Sequence, residues 1–181
     1  MKYYSLHFQI QLPWFIWGET ANEYHLGFHR IVGRSWISDS NQFRWKSENV
    51  STTEVESAIH EFPNIDDSVV YGVEVPKTNG RAGMATLFLK CGEENFDFDG
   101  LYDHLNEAIP SYAIPLFLRC RQGQVDTTGT FKYKKADLKK EAFYPDKCNG
   151  ESIYVLLPKD KHYTKVDSTI LANIESGQYR F

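Results

Sequence analysis

Two segments rich in β-branched and small apolar residues, joined by a short turn, constrain the fold of this chain more than any other feature. Residues 68–75 stop at Pro76, and residues 82–89 follow the turn-forming residues 77–80. Segments of this length and composition, separated by turn residues, are typical of adjacent β-strands. We therefore predict a sheet that contains this closely connected pair of strands.

Helical patterns lie on both sides of the strand pair. Residues 51–54 offer hydroxyl caps and a carboxylate, and apolar residues follow at helical spacing until Pro63. Residues 98–109 place Leu101 and Leu105 on one face, as an amphipathic helix requires. Further elements are expected over residues 116–120 (strand), 134–143 (helix) and 168–176 (helix).

The order of these elements predicts an α+β domain with helices packed on a small mixed β-sheet. Regular patterns begin at Phe43, and elements can be placed from there onward. Residues 1–42 keep no sustained period after Leu12, and we expect an irregular N-terminal segment there. The 181 residues suffice for one domain with such a segment.

Composition excludes several classes of function. The 20 basic and 24 acidic side chains give a formal net charge of −4, so no broad basic surface exists for nucleic acid. No run of about 18 apolar residues or signal peptide is found, so we expect no transmembrane segment in this chain. The three cysteines are too few and too scattered for a disulfide framework, which favours a reducing compartment.

The segment 122–135 is the most informative stretch for chemistry. It contains two glycines, several hydroxyls and Lys132. A lysine on such a loop can reach an anion outside its own domain and stabilise charge that builds in a transition state. A solvated basic loop has the same pattern, and spacing alone favours this plainer interpretation.

Two other patterns are less specific. Residues 43–50 alternate aromatic and basic side chains, which suits either a phosphate-bearing ligand or a strand with one apolar and one charged face. Composition does not separate the two. His25 and His29 have the i,i+4 spacing of helical metal ligands, but Gly27 lies between them and no third ligand accompanies them. No metal site is therefore expected.

Five blocks of the sequence stand in the order and spacing of one known domain. They are residues 43–55, 70–73, 80–85, 110–119 and 128–132. Together they closely resemble the C-terminal domain of fatty acid transport proteins, the very-long-chain acyl-CoA synthetases of the adenylate-forming, AMP-binding enzyme superfamily. Such an ordered set is far more specific than a single short motif. The resemblance covers residues 43–181, which we expect to be the domain, whereas residues 1–42 are unlike the family and stay unassigned.

The resemblance implies a two-step reaction. A fatty acid and MgATP give an acyl-adenylate and pyrophosphate, and the thiol of CoA then displaces AMP to give acyl-CoA. In that family the small C-terminal domain is a mobile lid that alternates between two poses on a large adenylation domain. ATP with Mg, CoA and the fatty acid are then bound mainly by that large domain, which is absent from this chain.

The resemblance also assigns roles to residues. Lys132 matches the lysine that meets the carboxylate and the α-phosphate in the adenylation pose. The loop that faces the nucleotide and CoA in the thioester-forming pose is matched by Phe43, Arg44, Trp45, Lys46, Ser47, Glu48 and Asn49.

Three positions depart from the family pattern. Ser38 stands where the family has a ribose-contacting arginine, and Asn41 where it has a hinge aspartate. Ser47 replaces a glycine, and if that position needs a positive φ, serine impedes the thioester-forming pose.

We therefore expect the C-terminal lid portion of a long-chain or very-long-chain fatty acid–CoA ligase linked to fatty acid uptake, in a fragment that is inactive by itself. By resemblance its partner is the adenylation domain and its place is the cytosolic face of the endoplasmic reticulum, peroxisome or plasma membrane. The alternative is a catalytically inactive orphan domain that serves only for docking.

Overall fold

The computed structural model describes residues 41–122 and 135–181. Within these ranges the chain forms strands and α-helices in the following order: β1 (Gln42–Trp45), β2 (Glu48–Ser51), α1 (Thr52–His60), β3 (Ile65–Glu74), β4 (Arg81–Leu89), α2 (Phe98–Ala108), β5 (Phe117–Gln122), α3 (Lys135–Glu141), β6 (Ser152–Leu156), β7 (Tyr163–Lys165) and α4 (Ser168–Glu175).

The main sheet has five strands in the order β3-β4-β5-β6-β7. Neighbouring strands are antiparallel except β4 and β5, which are parallel and are connected through α2. A parallel pair needs a long crossover, and the helix supplies it. Strands β1 and β2 form a separate antiparallel pair. The predicted α+β class with a mixed sheet is confirmed.

The predicted strand pair forms one edge of this sheet, with β3 as the edge strand. Strands β3 and β4 pair over almost their whole length, from Ile65 opposite Leu89 to Glu74 opposite Arg81. Both are longer than their β-branched cores suggested. Strands β6 and β7 were not predicted, because five and three residues are too short to show a clear alternation.

The helices cover the sheet with the faces that their spacing predicts. Val55 and Ile59 of α1 and Leu101 and Leu105 of α2 are fully buried. Asp97 caps α2 by accepting a hydrogen bond from the amide of Gly100 at 2.9 Å. The apolar face and the cap thus fix both where α2 begins and how it packs.

Within residues 41–122 and 135–181, no helix is long and apolar enough to cross a membrane. The longest, α2, has 11 residues.

Candidate functional site

The β1–β2 hairpin reverses direction in a two-residue turn. Trp45 pairs with Glu48, so Lys46 and Ser47 are the turn residues. Their φ angles are +47° and +72°. Two positive φ values define the turn type that suits the twist of a two-residue hairpin, and glycine adopts this conformation more easily than other residues. The position where the family has glycine therefore does take a positive φ, and Ser47 adopts it.

The hairpin has an apolar face and a charged face. Phe43 and Trp45 are 6% and 7% exposed. The exposed side comprises Arg44, Lys46, Ser47, Glu48 and Asn49. Of the seven residues expected to face nucleotide and CoA, the structure thus places five at the surface and packs two against the domain.

Phe43 packs on a pair of glycines in the main sheet. Gly72 on β3 and Gly83 on β4 are direct partners in the register. A Cβ atom added at Gly72 would lie 2.5 Å from Cβ of Phe43, and one added at Gly83 would lie 2.9 Å from its Cζ. The phenyl ring therefore occupies space that any other residue type at these positions would fill.

A second contact holds the hairpin near its turn. Trp45 forms an antiparallel bridge with Gly80, the last residue of the β3–β4 connection. Gly80 has φ +94°, and a Cβ atom there would lie 2.5 Å from the carbonyl oxygen of Arg44. Glycine is required at this position for both reasons.

Two neighbouring cavities lie beside the hairpin turn. The first, which we call the cationic cavity, measures about 570 Å³. It is lined by three cationic side chains, Lys46, Lys77 and Arg180, and by no Asp or Glu side chain. The second, about 390 Å³, shares Lys46 and Arg180 but has a largely apolar wall that includes Leu156 and Leu157. The arrangement can hold a ligand that combines anionic groups with an apolar portion.

Lys132 lies outside the described residues, but the element that follows its segment is firmly held. Nζ of Lys135, the first residue of α3, donates to Oε1 of Glu56 at 3.1 Å and to Oγ1 of Thr52 at 3.3 Å. The same Glu56 oxygen accepts from the amide of Val70 at 2.8 Å. The start of α3 is thereby tied to α1 and β3.

A buried arginine ties the other end of α3 to β5, the strand that precedes the Lys132 segment. Arg119 is completely buried, and its Nη1 donates to Oε2 of Glu141 at 2.5 Å. Its Nε donates to Glu151, which also accepts from Nε of Arg121. Burial disfavours the charged guanidinium, but the hydrogen bonds to Glu141 and Glu151 hold the pKa of Arg119 above its usual range.

The sequence reasoning did not single out this cluster. Arg119 stands in an apolar strand pattern, where a charge signals a buried pair, but its partners are 22 and 32 residues away in the chain. Only the fold brings them together.

Few contacts of the remaining candidate residues are described. The carbonyl of Asn41 accepts from the amide of Thr52 at 2.9 Å, which closes the open end of the hairpin. Ser38, His25 and His29 lie outside the described residues. Across the described part of the chain, no group of three or more His, Cys, Asp or Glu side chains is placed to hold a metal ion.

Comparison with known proteins gives a match to one protein family. Residues 54–132 match the family described as the AMP-binding enzyme C-terminal domain. Enzymes of the AMP-binding family use ATP and CoA as substrates.

The relatives of the chain are fatty acid enzymes and transport proteins. It is 39% identical over 150 residues to the medium/long-chain-fatty-acid–CoA ligase FadD6 of Mycobacterium tuberculosis, covering 83% of this chain and 24% of the relative. It is 40% identical over 154 residues to long-chain fatty acid transport protein 1 of Mus musculus, covering 85% of this chain and 23% of the relative. The chain thus spans about a quarter of the length of these relatives, and the aligned part includes residues before Phe43.

A solved structure shares the fold. The chain matches coronafacic acid ligase from Pectobacterium brasiliense with a TM-score of 0.53 and 15% identity, over 65% of this chain and 22% of that chain. At this identity the match shows the fold alone.

Proposed function

We propose that this chain is the C-terminal lid portion of a long-chain or very-long-chain fatty acid–CoA ligase, with residues 43–181 as the lid domain. The observation that carries the proposal is the identity of about two residues in five to FadD6 and to fatty acid transport protein 1. The adenylation domain, in the part of the relatives that this chain does not cover, is the proposed partner.

The reaction proceeds in two displacements. A carboxylate oxygen of the fatty acid attacks the α-phosphorus of ATP, and pyrophosphate leaves with Mg. The sulfur of the CoA thiolate then attacks the acyl carbon, and AMP leaves. The lid presents a different surface to the site in each step. Because it closes over the site in both poses, it also excludes water.

Lys132 is the proposed catalytic residue of the first step. Its ammonium stabilises the charge shared between the fatty acid carboxylate and the α-phosphate as the bond forms. The ties of Lys135 to Glu56 and of Arg119 to Glu141 support this role, because they hold the elements on either side of the segment that carries the lysine.

The exposed face of the hairpin is the proposed surface for the second step. Lys46 and Ser47 border the cationic cavity, where Lys77 and Arg180 also lie, and the phosphates of CoA are anions of the right class. Phe43 is buried, so its proposed role is to hold the hairpin in place. Asn41 remains the proposed hinge residue.

The remaining features of the proposal follow the relatives. ATP, Mg and the acyl chain are bound mainly by the adenylation domain, and no nucleic acid is involved. The proposed place of action is the cytosolic face of a membrane, in keeping with a role in fatty acid uptake.

A chimera tests the role of Lys132. It joins the N-terminal three quarters of FadD6 to the matching residues of this chain. We expect Lys132→Ala to lower ATP–pyrophosphate exchange by about 10²–10³-fold, the usual cost of losing one such donor. Thioester formation from preformed acyl-adenylate is expected to fall far less.

Lys134→Ala is the matched control, since it removes an equal charge two residues away. Exchange within a few-fold of the unsubstituted chimera for Lys132→Ala, or an equal loss for Lys134→Ala, contradicts the catalytic role.

The second candidate function is docking alone. ATP–pyrophosphate exchange by the isolated 181-residue chain would refute it, and we expect none. An immunoblot that shows a native polypeptide of several hundred residues favours the ligase instead.

A further inference from the structure

We infer that Gly72 and Gly83 are positioning residues for the thioester-forming step, because together they form a seat that fixes the Lys46–Ser47 turn through Phe43. The inference rests on the proposed function and adds to it two residues that touch no substrate. We call the Gly72–Gly83 pair, with the ring of Phe43 on it, the glycine seat.

The seat accommodates the whole phenyl side chain. Gly72 lies under its base, where an added Cβ would also meet Cγ of Phe43 at 3.1 Å. Gly83 lies under its tip, where an added Cβ would meet Cζ at 2.9 Å and Cε2 at 3.4 Å. The two glycines face each other across β3 and β4, so they make one continuous depression in the sheet surface.

The seat determines where the turn stands. Strands β1 and β2 are not part of the main sheet, so the orientation of the hairpin depends on side-chain packing and on the single Trp45–Gly80 bridge. Phe43 is three residues from Lys46, and the Trp45–Gly80 bridge lies between them. A ring lifted off the glycines would therefore tilt the turn.

The position of the turn matters because the cationic cavity is assembled from separate elements. Lys46 and Ser47 come from the hairpin, whereas Lys77 comes from the β3–β4 connection. A displacement of about 1 Å between groups that bind one substrate can cost about 10²-fold in rate. The seat keeps the hairpin turn and the β3–β4 connection in a fixed position relative to each other.

The two glycines differ in how they respond to substitution. At Gly72 the obstacle is Cβ of Phe43, which cannot rotate away, so Gly72→Ala must shift the strand itself. At Gly83 the nearest obstacle is the tip of the ring, at 2.9 Å, and Cα of Pro115 follows at 3.3 Å. Gly83→Ala combined with Phe43→Leu removes that tip, because leucine lacks the Cε and Cζ atoms.

Amide hydrogen exchange on the 181-residue chain tests whether the seat exists. We expect Gly83→Ala to raise exchange across residues 42–51 at least tenfold, and Gly83→Ala/Phe43→Leu to restore most of the protection. Gly92→Ala is the matched control, since Gly92 has φ −62° and the three atoms nearest to an added Cβ all belong to the movable carboxylate of Glu94. Unchanged exchange in Gly83→Ala overturns the seat.

Half-reactions of the FadD6 chimera test whether the seat serves the reaction. We expect Gly83→Ala to slow thioester formation from preformed acyl-adenylate at least tenfold and to leave ATP–pyrophosphate exchange within threefold. The added Phe43→Leu should recover thioester formation, and Gly92→Ala should change neither step. A parallel loss of both half-reactions, without rescue, indicates general damage and overturns the positioning role.

The two experiments separate the inference from the proposed function. A chimera that forms no acyl-CoA even without substitutions overturns the proposed function and the role in the reaction together. Hydrogen exchange still decides, by itself, whether the glycines seat Phe43.

Discussion

Ser47 occupies a backbone conformation that its side chain disfavours. Its φ of +72° lies in the left-handed region, where an L-residue other than glycine is strained. We expect Ser47→Gly to raise the free energy of unfolding by about 0.5–1 kcal/mol, measured by urea unfolding.

Ser51→Gly is the control, because Ser51 has φ −79°, which suits any residue. Glycine there gains nothing and adds freedom to the unfolded chain. Equal effects of the two substitutions would contradict the argument from φ.

Glu93 links stability to pH. Its Oε1 accepts from the hydroxyl of Tyr154 at 2.5 Å and from Nζ of Lys165 at 3.1 Å. Partial burial opposes its ionisation, but hydrogen bonds from Tyr154, Ser152 and Lys165 outweigh this and lower its pKa below the ordinary 4.5. Its contribution to stability is therefore complete above that value and is lost as the pH falls through the lowered pKa.

We expect Glu93→Gln to lower the free energy of unfolding by about 1 kcal/mol at neutral pH. The difference from the unsubstituted chain should shrink as the pH falls below 4.5. Urea unfolding over a pH series measures both. A difference that stays constant with pH would show that Glu93 acts only through its shape.

Single residues also show where sequence reasoning reached its limit. The alternation at Phe43 and Trp45 left a ligand-lining loop and a two-faced strand equally open. The deciding contacts, Gly72 and Gly83, lie about 30 to 40 residues away. A glycine in a strand indicates that another group packs closely against the backbone there, but the sequence does not show which group it is.

At the scale of elements, the position of α3 depends on a buried ion pair. Glu141 at its end pairs with the fully buried Arg119 of β5. Arg119 also pairs with Glu151, so removal of Glu141 leaves the buried guanidinium with one carboxylate instead of two, which is more costly than loss of a surface pair.

We expect Glu141→Gln to lower the free energy of unfolding by about 2 kcal/mol. Asp137→Asn is the control on the same helix, since it removes the exposed pair with Lys140. Its expected cost is at most about 0.5 kcal/mol. Comparable losses in the two variants, by urea unfolding, would contradict the role of burial.

Helices were easier to predict than strand pairing. Caps and apolar spacing lie within each helix, and the bounds of α1, α2 and α4 came out within about two residues. The parallel pairing of β4 with β5, by contrast, depends on contacts between segments about 30 residues apart. The hairpin turn was foreseen only as a position where the family has glycine. The cavities beside it also involve residues 177–181, which no local pattern connects with the hairpin.

At the scale of the whole molecule, the three cysteines differ in how deeply they are buried. Cys120 and Cys148 are buried, whereas Cys91 is half-buried. Burial raises the pKa of the Cys120 and Cys148 thiols above the ordinary value, so little thiolate forms at neutral pH.

We expect a thiol reagent such as dithionitrobenzoate to titrate one thiol rapidly in the folded chain and three in denaturant. Cys91→Ser is the control and should remove the rapid phase. A rapid phase that persists in this variant would show that the buried thiols are accessible.

The order of strands in the main sheet equals their order in the chain, from β3 to β7. During synthesis each new strand therefore leaves the ribosome with its sheet neighbour already made, and the sheet can grow in one direction. The β1–β2 hairpin emerges before all of them, but Phe43 has nowhere to pack until Gly83 follows it out about 40 residues later. Among the described elements the hairpin is therefore made first, and its Phe43 side chain stays without its packing partner until the second strand of the sheet has left the ribosome.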